Sequence, residues 1–278
     1  LFSRRIGLQD DISAAAKVTG RIGDYNIGII DSQLNGESGN LLVARISRNI
    51  FSESRVGMIL TNGNPESDRS NTLVGADFEF RDSNWNDTGK VVTSNLWFQN
   101  SFTGHGDGLE GAWGAEVAYP NDALFWRLRY KELMDDFNPA LGFVNRRGIR
   151  SYDAFVRTRN WPGTWVRNYG HALGATLVTN RNDRIDSGTG RVTLLELSNN
   201  VVDYIKIEYR HRFERLTARQ TRLISAVWLP QGNYHWDEAE LKFASSQNRQ
   251  LRVIAIGQGG TFYNGERAGF RGVVEWRP

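Results

Sequence analysis

Four histidines, His105, His171, His211 and His235, are the side chains here best suited to acid–base or metal chemistry. None stands at HExxH, HxH or another ligand spacing, and the chain has no cysteine, so a zinc site would need scattered carboxylates. His105 sits in Gly104-His105-Gly106-Asp107-Gly108, which reads first as a plain polar loop, and His171 falls mid-strand, packed or facing a lumen. Serine hydrolysis needs a nucleophile in a context such as Gly-x-Ser-x-Gly, which is absent. Adjacent carboxylates occur at Asp10-Asp11, Asp135-Asp136 and Asp237-Glu238. Glycosidases hold two carboxyls about 5 to 10 Å apart, a geometry that sequence neighbours do not by themselves supply. Asn182, Asp183, Asp186, Ser187 and Gly188 carry enough oxygen to wrap calcium but miss the EF-hand spacing, so an ordinary polar loop is the better reading. No motif assigns a catalytic residue, a metal or a cofactor.

The charged residues are informative for another reason: they recur at every second position. Asp77, Glu79 and Arg81 alternate with Val74, Ala76, Phe78 and Phe80. Arg127, Arg129 and Lys131 alternate with Leu124, Trp126, Leu128 and Tyr130, and Lys206, Glu208 and Arg210 with Ile205, Ile207 and Tyr209. Successive residues of a strand face opposite ways, so each run is a strand with one dry and one charged face. The polar face looks to bulk water in a soluble sandwich and into a lumen in a membrane barrel.

About sixteen such segments follow one another with no helical pattern between them. They fall near 17–22, 25–32, 41–49, 55–62, 72–81, 91–99, 112–119, 123–132, 151–159, 164–178, 191–198, 203–211, 220–229, 238–245, 251–257 and 267–277. Short turns alternate with longer polar links at 33–40, 62–71, 100–111, 133–150 and 179–190, although 82–90 is long for its place and the pattern blurs after about residue 212. Aromatics near strand ends, among them Trp113, Trp126, Trp161, Trp165, Trp228 and Trp276, suit interfacial girdles; Trp and Tyr also simply favour strands. No apolar run reaches the ~18 residues of a membrane helix. Net charge is only +3, giving no nucleic-acid footprint, and the 34 basic residues are mostly Arg, with Lys at 17, 90, 131, 206 and 242 alone. Arginine's fork pairs with several carboxylates at once, which suits a lumen, while genome composition would give the same bias.

The fold predicted is all-β: an antiparallel up-and-down, transmembrane-type β-barrel, or a large part of one. Asp77, Glu79, Arg81, Arg127, Arg129, Lys206, Glu208 and Arg210 are the candidate lumen-lining residues. The 133–150 link holds Phe137, Pro139, Leu141, Phe143 and Val144 and ends in Arg146, Arg147 and Arg150. That is too apolar for a solvated loop. It either folds into the mouth as a plug, its arginines facing lumen carboxylates, or forms a hairpin over the rim. Arg127, Arg129, Arg157 and Arg159 would make a positive stripe unless neutralised by Asp77, Glu79, Asp153 and Glu208; near-balanced charge favours a filled or plugged lumen.

Leu1-Phe2-Ser3-Arg4-Arg5-Ile6-Gly7, Ala15-Ala16-Lys17-Val18-Thr19-Gly20, Phe137-Asn138-Pro139-Ala140-Leu141-Gly142-Phe143-Val144 with Arg146-Arg147-Gly148-Ile149-Arg150, Phe262-Tyr263-Asn264-Gly265 and Trp276-Arg277-Pro278 carry a resemblance. Together they resemble a bacterial family of unknown function in which a family-9-like carbohydrate-binding module precedes a large β-rich domain. The resemblance implies an outer-membrane barrel extending beyond both ends of this chain, so residues 1–278 read as one barrel domain and an internal piece of a longer protein. It implies an outer-membrane location in a Gram-negative bacterium and a glycan-related or other small-molecule cargo for a channel, transporter or surface scaffold. Membrane lipid and other outer-membrane subunits are the partners that follow. A membrane-associated hydrolase and a soluble carbohydrate-binding β-domain stand as alternatives.

Overall fold

Runs that alternate at every residue can satisfy their backbone only by pairing sideways, and they do. The computed structural model describes residues 11–35, 39–67, 70–103, 110–224 and 227–277. Its strands are β1 (Ile12–Ile22), β2 (Tyr25–Leu34), β3 (Asn40–Ile50), β4 (Ser54–Asn62), β5 (Thr72–Asp82), β6 (Val92–Phe102), β7 (Gly111–Pro120) and β8 (Leu124–Leu133). They continue as β9 (Ile149–Asn160), β10 (Val166–Asn180), β11 (Ile185–Asn199), β12 (Tyr204–Ile224), β13 (Val227–Ala244), β14 (Leu251–Phe262) and β15 (Gly265–Trp276). One 3-10 turn, Trp85–Asp87, is the only helical element among the described residues. Leu1–Gly7, Asp10, the His105 loop and Pro278 lie outside those residues.

Each strand is hydrogen-bonded to its neighbours in sequence, in the order β1 to β15 without a crossover. This is an antiparallel up-and-down meander and not a Greek key, whose return strand would break that order. Tight turns make it possible: Gly23, at φ +58°, closes the two-residue link from β1 to β2, where a left-handed backbone is required.

Two expectations change. The segments at 203–211, 220–229 and 238–245 are parts of two long strands, β12 and β13, whose pairing runs from Tyr204↔Ala244 to Ile224↔Val227. A register shift between Leu216 and Gln220 interrupts the alternation there, and in sequence a bulge looks like a turn. The described residues therefore hold fifteen strands where the sequence suggested about sixteen. The supposed long link at 179–190 is a four-residue connection, because β11 already begins at Ile185. Near its start Ser187-Gly188-Thr189-Gly190 pair with β10 and β12 but have no dry face to announce a strand.

The chain divides into two compact units: Leu1–Ala118 with Arg129–Arg150, and Tyr119–Leu128 with Ser151–Pro278. In the first, a small core joins Leu34, Leu41, Val43 and Leu141. In the second, Ala172, Leu216, Leu229 and Trp236 are buried. Most large apolar side chains are elsewhere, on the other sheet face, and uncovered. Met58 is 64% exposed, Phe98 51%, Leu128 57% and Phe270 79%. In both units the apolar face of the sheet carries no second layer among the described residues.

Candidate functional site

The opposite, polar face is a ladder of ion pairs. In the first unit Arg45 of β3 reaches across β4 to Asp77 of β5, with Nη2 2.7 Å from its carboxylate. The crossing needs Gly57, which stands opposite both Ser47 and Asp77 in register. A Cβ there would lie 2.8 Å from the Arg45 guanidinium and from both Asp77 oxygens. Arg55 donates to Glu79, directly opposite it, at 2.6 Å, and Arg81 lies 3.5 Å from Glu53 in the turn before β4. Arg129 of β8 donates from Nε to Glu116 of β7 at 2.6 Å.

In the second unit Arg127 Nη2 is 2.9 Å from Asp153 on β9, whose other oxygen accepts from Thr176 on β10 at 3.0 Å. Arg159 reaches Glu196 at 3.4 Å. Arg157 instead lies over the Phe125 ring, 5.5 Å from its centroid, and Arg191 over Phe155 at 5.6 Å. Of the four arginines that would form a stripe, three are therefore matched to carboxylates. The centre of this unit is Glu208, 2% exposed and gripped by both Lys206 and Arg210. Arg210 also meets Glu238 and Glu240 of β13, each at 3.2 Å. These are i, i+2 and i+4 positions, which a strand sends to one face.

At the strand ends a second fastening appears. Asp203, just before β12, accepts from Arg249 Nε at 3.0 Å and Nη2 at 2.6 Å, from the Ser246 amide at 2.9 Å and from Asn199 Nδ2 at 3.0 Å. The Arg249 hydrogen bonds above all, then the Ser246 amide, hold the Asp203 carboxyl well below the usual carboxylate range. This clamp joins the β11–β12 turn to the β13–β14 loop.

The link between β8 and β9 folds inward over the first unit's polar face and forms no hairpin. Phe137 and Leu141 are buried at 2% and 0%, and Leu141 reaches Leu34, Leu41 and Val43 on β2 and β3. Asn71, 1% exposed, pins the loop's backbone: its Nδ2 donates to the Asn138 carbonyl at 2.9 Å and its Oδ1 accepts from the Ala140 amide at 3.3 Å. The Asn138 amide donates to Ser101 Oγ, which in turn donates to Glu110 at 2.8 Å. Beneath the loop lies a cavity of about 560 Å³, walled on the strand side by Ile59, Leu73 and Leu133 and on the loop side by Phe137, Phe143 and Val144. Lys131 and Arg146 line it too. Arg147 is exposed, and Arg150 sits 3.3 Å from Glu132. Glu132 shares its strand face with Leu128 and Tyr130 and accepts from the Tyr130 hydroxyl at 2.9 Å.

Two of the histidines come together, His211 stacking on His235 with centroids 5.7 Å apart, while the neighbouring carboxylates do not converge. Asp237 and Glu238 face opposite ways, the first to His211 at 2.8 Å and to Tyr209, the second to Arg210. His171 is exposed, its Nδ1 2.7 Å from the Leu194 carbonyl. Asp186, among the oxygens weighed for calcium, is 3.0 Å from Arg215, and the described residues contain no group of three or more potential metal ligands. Sequence reasoning missed Arg45, Gly57, Glu116 and Asn71. Parity along Val43-Ala44-Arg45 marks the first; nothing local marks Asn71, whose partners are more than sixty residues away.

No family model matches the chain, and no curated protein matches it. Among solved structures, an anion-selective porin from Comamonas acidovorans is similar over 95% of both chains, at 12% identity and a TM-score of 0.36. A likeness of that strength fixes no activity.

Proposed function

We propose that this chain is an outer-membrane β-barrel of a Gram-negative bacterium, serving as a pore for small solutes. One observation carries the reading: a sheet whose large apolar side chains are uncovered on one face while its arginines and carboxylates pair on the other. Water on both sides would leave the apolar face a large aggregation surface; lipid on that side makes it the stable arrangement. Closure of the meander would pair every backbone group, which a bilayer demands. In this reading Asp77, Glu79, Arg81, Arg127, Arg129, Lys206, Glu208 and Arg210 line the lumen, and the 134–148 loop with Arg146 and Arg147 narrows it. Arg150 belongs to its rim. A glycan cargo rests on the family resemblance alone. The carboxylates that converge, Glu208, Glu238 and Glu240 around Arg210, are held in ion pairs, which favours a scaffold over a hydrolase.

Reconstitution into planar bilayers tests the reading. Discrete current steps that grow when Leu141→Ala loosens the loop are expected. A protein that stays native and soluble without detergent, or that inserts without conducting, would overturn it.

A further inference from the structure

We infer that the cavity beneath the 134–148 loop is a binding site for a small organic monoanion with a flat apolar body, an aromatic carboxylate being the simplest member. The pore reading gives this site its biological sense, but the site's chemistry stands on its own lining. At about 560 Å³ it falls within the ~300 to 1,000 Å³ common for small-molecule sites. Among the described residues, the charged ones that line it, Lys131 and Arg146, are both cations, and no carboxylate lines it.

Lys131 distinguishes this place from the rest of the polar face. Arg127 and Arg129, on the same face of the same strand, are each matched to a carboxylate. Lys131 has no ion-pair partner among the described residues, yet it is half-buried in a cavity wall that Leu133 and Ile149 also line. A partly buried cation without a counterion attracts an anion more strongly than one in open water. Thr61, Gln99 and Asn145 add uncharged polar groups.

The rest of the wall sets the shape of the guest. Trp97 lies against Gly114 so closely that a Cβ there would be 2.7 Å from the indole. The indole therefore joins the cavity lining as a flat plate, with Phe137 and Phe143 also in the lining. Aromatic pairs of this kind hold a planar ring in stacked or edge-on contact. A sugar acid would need hydroxyl partners around its whole rim, whereas Trp97, Phe137 and Phe143 give this wall flat apolar surface that a planar ring covers better. One carboxylate end and one ring end fit what is there.

The test is a titration of the purified, detergent-solubilised protein with benzoate, read by tryptophan fluorescence and by calorimetry. Benzyl alcohol, benzylamine, acetate and glucuronate serve as comparisons. Benzoate should saturate and bind about tenfold more tightly than any of the four, a charge-assisted contact being worth about that much. Lys131→Gln should bring benzoate down to the level of benzyl alcohol. Phe143→Ala, at a residue 75% exposed and so dispensable for folding, should weaken benzoate and leave acetate alone. The inference fails if benzoate, the alcohol and the amine bind alike, if glucuronate binds better than benzoate, or if Lys131→Gln changes nothing. Binding needs no current, so benzoate binding without conductance would remove the pore and keep the site, and conductance without benzoate binding would do the reverse.

Discussion

Single residues decide which partners the polar face can bring together. Gly57 keeps the space through which Arg45 meets Asp77, so Gly57→Val should separate them and cost about 1 to 3 kcal/mol through overpacking. Denaturant titration in detergent would measure it, and Gly20→Val, at a glycine with nothing within 4 Å of a new Cβ, is the control. Asp203 gives a pH prediction with a definite sign. Its folded-state pKa is depressed, so its stabilisation is present above the ordinary carboxylate range and is lost as pH falls through about 4 and below. Melting of the native protein should exceed that of Asp203→Asn at pH 7, and the gap should begin to narrow below about pH 4 and keep shrinking as the pH is lowered further. A constant gap across that range would contradict the clamp. The alternation of types along a strand makes a residue's face legible in the sequence, as it does for Arg127 and Glu208. It does not give the partner: Arg129 pairs back to Glu116 and Arg127 forward to Asp153, a difference set by register across strands.

At the scale of elements the 134–148 loop is held by the buried Phe137 and Leu141, by two hydrogen bonds with Asn71 and by the Asn138 amide on Ser101 Oγ. Leu141→Ala should cost about 2 to 5 kcal/mol locally, the usual range for truncating a buried leucine, and release the loop. Limited proteolysis should then cut between residues 134 and 148 while the strands stay intact. Asn71→Asp should do the same with less force, because a carboxylate cannot donate to the Asn138 carbonyl. That this loop turns inward was legible as an excess of apolar residues in an otherwise polar link. Where it docks was not, since Leu34, Leu41 and Val43 are a hundred residues upstream. The strands that were misread fail for a related reason. Period two announces a strand only when one face is dry, so the polar start of β11 looked like loop and the bulged middle of β12 looked like a turn.

For the molecule as a whole, the question is what lies against the uncovered apolar face, and two adjacent residues can answer it. Asn95 and Leu96 sit in the middle of β6 and face opposite ways. Asn95 stands opposite Glu79 on one side and Glu116 on the other, so an arginine there finds two carboxylates within the ladder. Leu96 is 47% exposed on the apolar face. If that face met water, Leu96→Arg would change stability by no more than about 0.5 kcal/mol, as surface substitutions do. Against hydrocarbon near the bilayer midplane it should cost about 2 to 4 kcal/mol. Asn95→Arg should be nearly neutral in either case. Folding both variants into lipid vesicles and titrating with denaturant therefore separates the surroundings of the two faces by a shift of one residue. A large loss for Leu96→Arg with none for Asn95→Arg is the outcome that lipid requires. Equal, small effects for the two would place water on both sides of the sheet, and the membrane assignment would fall with them.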